Sequence, residues 1–155
     1  MIGGYKIKGI CDVVCGKSET RLARRILLVE DDAATLEVLS QFLGKFYLVS
    51  ACSSGERALE LLYLHEDIKV LVTDLRMPGV SGYILIRALN EYCRRSGKII
   101  PVVVLTGHGT PEDEQSARSL GVTCFLRKPI DVRQLLGIVE GHLQGPKAQS
   151  RQEEI

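Results

Sequence analysis

An α/β fold, with a parallel sheet enclosed by helices on both faces, is what this 155-residue sequence predicts. Three observations lead there. Strand-like and helix-like segments alternate five times from Arg25 onward. The strand-like runs are nearly continuous in apolar residues, as in strands buried on both faces, rather than alternating polar with apolar. The connections are short, which suits neighbouring elements packed layer on layer.

The elements follow in order. Arg25–Glu30 (RILLVE) is an apolar run ending in acid and reads as a strand. Residues 33–44 carry apolar side chains at 36, 39, 42 and 43, a helical spacing, with Gly44 as the stop. Phe46–Cys52 is the second strand. Residues 53–65 open on Ser-Ser-Gly-Glu, a helix-capping signal, and place leucines at 59, 61, 62 and 64. Lys69–Asp74 (KVLVTD) is a second apolar run ending in acid. Then come a helix over 81–95, a strand over 99–106 and a helix over 111–120. A strand over 122–127 and a helix over 131–143, capped by Asp131, complete the pattern.

The pattern sets the predicted boundaries. Residues 1–24 have no clear period and read as a leader of unknown role. Residues 25–144 form one domain, and 145–155 form a polar, frayed tail. A net charge of +1 implies no bulk attraction to nucleic acid or membrane. Tryptophan is absent and aromatics make up 5%, which argues against stacking platforms for single-stranded nucleic acid. No apolar stretch approaches membrane-span length, and Asp12 interrupts the short apolar piece near the start. The five cysteines match no disulfide scaffold. Cys52, Cys93 and Cys124 read as small core residues, and Cys11 and Cys15 as ordinary thiols rather than half of a zinc site. Reduced thiols suit the cytoplasm.

In a parallel sheet the strand ends lie along one edge, and ligands bind there. The first strand ends in Glu30-Asp31-Asp32, the third in Asp74 and the fourth in Thr106, and the fifth leads to Lys128-Pro129. Glu30, Asp31 and Asp74 would bring negative charges together, and a divalent cation relieves that repulsion. Few, hard oxygen ligands suit Mg²⁺ that keeps several waters. Lys128 adds a positive charge and Thr106 a hydroxyl donor. A carboxylate in such company can attack phosphorus as a nucleophile, with the positive charges stabilising the transferring oxygens.

Residues 25–144 resemble the receiver domain of bacterial-type response regulators. The matching segments are Ile26-Leu-Leu-Val-Glu-Asp-Asp32, Val72-Thr-Asp-Leu-Arg-Met-Pro-Gly79, Val104-Leu-Thr-Gly-His-Gly109 and Phe125-Leu-Arg-Lys-Pro129. Each alone is weak; four in order, each at a strand end, are specific. The resemblance implies a flavodoxin-like, doubly wound five-stranded sheet of order 2-1-3-4-5 with five helices on its two faces. It implies that Asp74 accepts a phosphoryl group. Mg²⁺ would be held by Asp31, Asp74, the Arg76 backbone carbonyl and Glu30, the last directly or through water. Thr106 and the Gly107 amide would bind phosphoryl oxygens. Lys128 would pair with the phosphoryl group, aimed by a cis bond to Pro129. Thr106 and Phe125 would form the switch; phenylalanine has no hydroxyl, so switching at 125 must run through packing. The implied partner is a histidine kinase or histidine phosphotransfer protein supplying phosphohistidine. The implied output is a remodelled interaction face on the fourth helix, fifth strand and fifth helix.

Plainer readings stand beside these. Asp31 and Asp32 could serve only as helix-start charges, and for Asp32 that reading is the better one. Met77-Pro78-Gly79 is compatible with a simple turn. His108 reads as an exposed loop histidine, and His65 and His142 as solvated residues near helix ends. A phosphorylation-independent docking receiver is the alternative function. A Mg²⁺-dependent aspartyl-phosphate phosphatase is disfavoured because Arg76 stands where a second carboxylate would act as acid and base. A flavin or nucleotide binder is disfavoured because Glu30-Asp31-Asp32 puts negative charge where phosphate would lie. The domain is thus expected to be a signalling switch rather than an enzyme, with no direct nucleic-acid or membrane partner and no readable output domain.

Overall fold

The structure, a computed structural model, describes residues 24–144. The expected leader and tail, with Cys11 and Cys15, lie outside the described residues. Five strands and five helices alternate: β1 Arg25–Val29, α1 Ala33–Leu43, β2 Leu48–Cys52, α2 Gly55–Leu64, β3 Ile68–Asp74, α3 Gly82–Ser96, β4 Val102–Thr106, α4 Pro111–Ser119, β5 Cys124–Arg127 and α5 Val132–Leu143. The sheet order is β2-β1-β3-β4-β5, and every pairing is parallel. This is the α/β alternation that the sequence predicts, in the doubly wound, flavodoxin-like order that the resemblance implies.

Side chains alternate across a strand, so each apolar run feeds two cores. Leu27, Val29, Leu71, Val102 and Val104 point to one face. There they meet Ala58 and Leu62 of α2, Leu85, Ile86 and Leu89 of α3, and Ala117 of α4. Ile26, Leu28, Val70, Val72, Val103 and Leu105 point to the other. They meet Leu39 and Leu43 of α1 and Leu135 and Val139 of α5. Burial on both faces is why these strands carry no polar alternation.

Three strands start later than predicted. β2 begins at Leu48 because Phe46 and Tyr47 still bond back to the Leu43 carbonyl. β4 begins at Val102: Pro101 has no N–H to give the ladder, and Ile99 projects into solvent. β5 begins at Cys124, since Gly121 turns through a positive φ of 88° and Val122 bonds back to Ala117. β3, in turn, begins one residue before the predicted start, at Ile68.

Two glycines bring layers into close approach. A Cβ on Gly82 would lie 2.1 Å from the Asp74 carbonyl oxygen, so the start of α3 rests directly on the end of β3. A Cβ on Gly55 would lie 2.2 Å from the Val80 carbonyl oxygen. Both contacts brace the loop that follows Asp74. Among the described residues no helix is long and apolar enough to cross a membrane.

Candidate functional site

The sheet reverses its winding between β1 and β3, since β2 lies on one side of β1 and β3 on the other. The carboxyl ends of β1 and β3 diverge there and open a crevice. Glu30 follows β1 and Asp74 ends β3, so both enter that crevice. β4 delivers Thr106 and β5 delivers Lys128 to the same edge. Together with Asp31, Arg76 and Gly107 they wall a cavity of about 270 Å³. Every sequence-predicted site residue except Phe125 lines it.

Lys128 organises the charges. Its Nζ lies 2.6 Å from Glu30 Oε2 and 3.0 Å from Asp74 Oδ2. The lysine backbone is fixed as well: Lys128 N–H donates to the Thr106 carbonyl at 2.8 Å, and the Lys128–Pro129 peptide is cis. Burial works to lower the ammonium's pKa, but its bonds to Glu30 and Asp74 outweigh that and the net shift is upward. Glu30 is fully buried, and that burial raises its pKa despite the opposing lysine. Its other oxygen accepts the Asp32 backbone N–H at 3.2 Å.

Asp74 is buried within its walls but faces the cavity. Oδ1 accepts the Arg76 backbone N–H at 3.2 Å, while Lys128 holds Oδ2. One ligand oxygen each from Glu30, Asp31 and Asp74 can be chosen so that all lie within 4.8 Å of one another. Asp31 is exposed, whereas the other two are buried. Three carboxylates against one ammonium leave a formal excess of negative charge, all on hard oxygens, which fits a small divalent cation. Asp32 is occupied otherwise: it caps α1, accepting the Thr35 N–H at 2.9 Å and the Thr35 hydroxyl.

Thr106 is buried at the end of β4. Gly107 is exposed, and a Cβ there would sit 3.8 Å from Lys128 Cδ, so the loop backbone runs over the lysine stem. Phe125 turns to the opposite sheet face from Cys124 and Leu126 and is half-buried on the face that α2, α3 and α4 cover. A Cβ on Gly109 would meet the Phe125 ring at 3.0 Å and the Thr106 methyl at 2.7 Å. The glycine therefore lets ring, methyl and loop share one small volume, which joins Phe125 to the site indirectly. His108 is exposed on the rim, and His142 lies at the far end of the domain against Thr123. Cys52 is buried, and burial pushes its thiol up to about 11.

One cluster beside the site is not foreseen by the sequence reading. Asp113, in the first turn of α4, accepts from the Arg76 guanidinium at 2.7 Å and from the Tyr83 hydroxyl at 2.8 Å. It also forms a capping box with Thr110. The Arg76 guanidinium and its other partners hold the Asp113 carboxyl well below the usual carboxylate range. Burial and Asp113 push the Tyr83 phenol up to about 12. A capping box is visible in Thr110-Pro-Glu-Asp113, but an ion pair between separate elements leaves no period in the sequence.

Known proteins resemble this chain in sequence and in fold. A family model described as the response regulator receiver domain matches residues 26–140. A probable cyclic di-GMP phosphodiesterase of Vibrio cholerae is 35% identical over 123 residues, covering 79% of this chain and 27% of that protein. The transcriptional regulatory protein FixJ of Azorhizobium caulinodans is 33% identical over 127 residues, covering 82% of this chain and 58% of that protein. The chain thus spans only part of the length of these curated relatives. A crystal structure of a response regulator receiver protein from Pseudomonas putida superposes with a TM-score of 0.66 at 31% identity, covering 76% of this chain and 95% of that one. A five-stranded parallel sheet in this order, an acidic crevice at its switch point and a family match over most of the chain converge: the protein belongs to the response regulator receiver domain family, the phospho-accepting switches of two-component signalling.

Proposed function

We propose that Asp74 is the phospho-acceptor and that the chain works as a Mg²⁺-dependent switch fed by phosphohistidine. The observation that carries this reading is the setting of the Asp74 carboxylate. It is buried on its flanks, fixed through both oxygens, and open only toward the acidic cavity. A carboxylate so held meets the need for a nucleophile oriented before its donor arrives.

In the proposed step a carboxylate oxygen of Asp74 forms a bond to phosphorus. The bond from phosphorus to the donor imidazole breaks, and its electron pair stays on the imidazole nitrogen. Lys128 follows the charge from the carboxylate to the phosphoryl oxygens. The Thr106 hydroxyl and the Gly107 N–H are the donors for the remaining oxygens. Glu30, Asp31, Asp74 and the Arg76 carbonyl would hold Mg²⁺, which when bound supplies positive charge to the transferring oxygens. Water attack on the same phosphorus breaks its bond to the Asp74 oxygen, releases inorganic phosphate and returns the carboxylate to its free state, so the domain resets itself.

The donor must reach over the rim. Beside Lys128 an apolar groove of about 330 Å³ runs between α1 and the β5–α5 loop, walled by Ala34, Val38, Pro129 and Ile130. We infer that a histidine kinase or histidine phosphotransfer protein seats there while its histidine enters the cavity. Phosphoryl transfer of this kind, with free thiols at Cys52, Cys93 and Cys124, fits the cytoplasm. We further infer that residues 25–144 are the working unit. On phosphorylation, Thr106 moves toward the new oxygens and Phe125 repacks past Gly109.

The test is an intact-mass measurement after incubation with acetyl phosphate, with Mg²⁺ or with chelator. One base-labile phosphoryl adduct is expected, dependent on Mg²⁺ and absent from Asp74→Asn. An adduct that persists in Asp74→Asn removes the assignment. No adduct under any condition favours the phosphorylation-independent docking reading.

A further inference from the structure

Arg76 occupies an unusual place. Its backbone N–H touches Asp74 Oδ1, so the root of this long cationic side chain stands beside the acceptor carboxylate. The residue walls the acidic cavity and also a neighbouring cavity shared with Tyr83 and Asp113. Its guanidinium is in the second, paired with Asp113 at 2.7 Å. The side chain is largely exposed, so apart from that pair little holds it there.

The alternative location has a strong electrostatic pull. The Glu30–Asp31–Asp74 cluster has more negative charge than Lys128 neutralises, and Asp31 is exposed at its edge. A guanidinium matches carboxylate geometry and is always charged. Rotated inward from residue 76, it would occupy the same electrostatic role as a divalent cation and compete with it. Asp113 offers the guanidinium a different partner. It is itself well fixed, by the Thr110 N–H at 3.1 Å and the Tyr83 hydroxyl at 2.8 Å, so it presents a preorganised partner on the far side.

We propose that Asp113 is a positioning residue for the phosphoryl site: by pairing with Arg76 it keeps that guanidinium out of the acidic cluster and leaves the cluster free for the cation. The inference rests on the receiver reading of the cavity. It adds that α4 governs cation affinity through one ion pair. It also assigns a role to the side chain of a residue whose backbone carbonyl is the proposed ligand.

The experiment is Mg²⁺ titration by calorimetry of the unphosphorylated chain, with five proteins: the parent, Asp113→Asn, Asp113→Glu, Arg76→Ala and the Asp113→Asn/Arg76→Ala double variant. Asn keeps an acceptor for the capping box but removes the charge that holds Arg76. Asp113→Asn is expected to weaken Mg²⁺ binding by about threefold or more when Arg76 is present, and by less than about 1.5-fold when residue 76 is alanine. Asp113→Glu, which keeps the charge, is expected to restore affinity in the presence of Arg76. Loss of a distant negative charge, or loosening of α4, would weaken binding equally in both backgrounds, and that result overturns the proposal. So does unchanged affinity in Asp113→Asn. If the parent chain binds no Mg²⁺ at all, the metal reading of the cavity falls and this proposal falls with it. Normal parent binding with no dependence on Arg76 removes only the positioning role.

Discussion

Lys128 serves two carboxylates at once, and the energetics of the site turn on that. Glu30 is fully buried and Asp74 nearly so, and each has the same ammonium as its counter-charge. Removing one partner of a buried pair leaves a charge uncompensated. Lys128→Met is therefore expected to destabilise the metal-free domain by about 3 kcal/mol in urea unfolding. Divalent cation should recover more of that loss than it adds to the parent. The pH dependence follows from the directions of shift. The folded lysine's pKa is raised above 10.5, so its contribution is fully present below 10.5 and is lost as pH rises through the folded value. Glu30 is raised above 4.5, so its buried charge is a cost at neutral pH that is relieved as pH falls through the folded value. The stability difference between parent and Lys128→Met should shrink in strong alkali; a difference that stays constant there contradicts the pairing. At this scale the sequence was informative where function concentrates at strand ends. Glu30, Asp31, Asp74, Thr106 and Lys128 could be placed together because parallel strands share one edge. Asp113 and Tyr83 could not, because their contact with Arg76 depends on how α3 and α4 pack.

The elements show the same division. Apolar runs mark the strands, apolar spacing marks α1 and α2, and the Asp131 cap marks the start of α5; all five strands and five helices are read from the sequence. Starts were misplaced where local geometry overrides hydrophobicity, as at Pro101, which cannot donate to a ladder, and at Gly121, with its positive φ. Phe46 and Tyr47 are apolar enough for a strand yet close the turn after α1. Nor did the pattern reveal why Gly82 stands at the head of α3. Its hydrogen lies where any side chain would strike the Asp74 carbonyl and the Leu75 Cα. Gly82→Ala is expected to cost about 3 kcal/mol by overpacking, measured by chemical denaturation, and to displace the Asp74 loop. A neutral substitution would mean that α3 can shift without cost.

Among the described residues, the double-wound order sets two cores on either side of one sheet and leaves an acidic crevice at the reversal point. The sequence carried the alternation of elements, and the order of strands came from resemblance, since periodicity alone does not rank neighbours. The excess negative charge at the crevice is a standing electrostatic cost to the folded state. A cation that binds only the folded chain offsets it by mass action, giving about 2.7 kcal/mol at a hundredfold excess over Kd. The melting temperature should therefore rise with Mg²⁺, and rise less in Asp31→Asn, the exposed member of the cluster. An equal rise in both would place the cation elsewhere.

The most direct test of the central claim is chemical location of the phosphoryl group. After incubation with acetyl phosphate and Mg²⁺, borohydride reduces an acyl phosphate to an alcohol, and peptide sequencing by mass spectrometry then reads which residue changed. The account predicts homoserine at position 74 and nowhere else. Reduction at Asp31, or an acid-labile phosphoryl group on His108 with residue 74 unchanged, would contradict it.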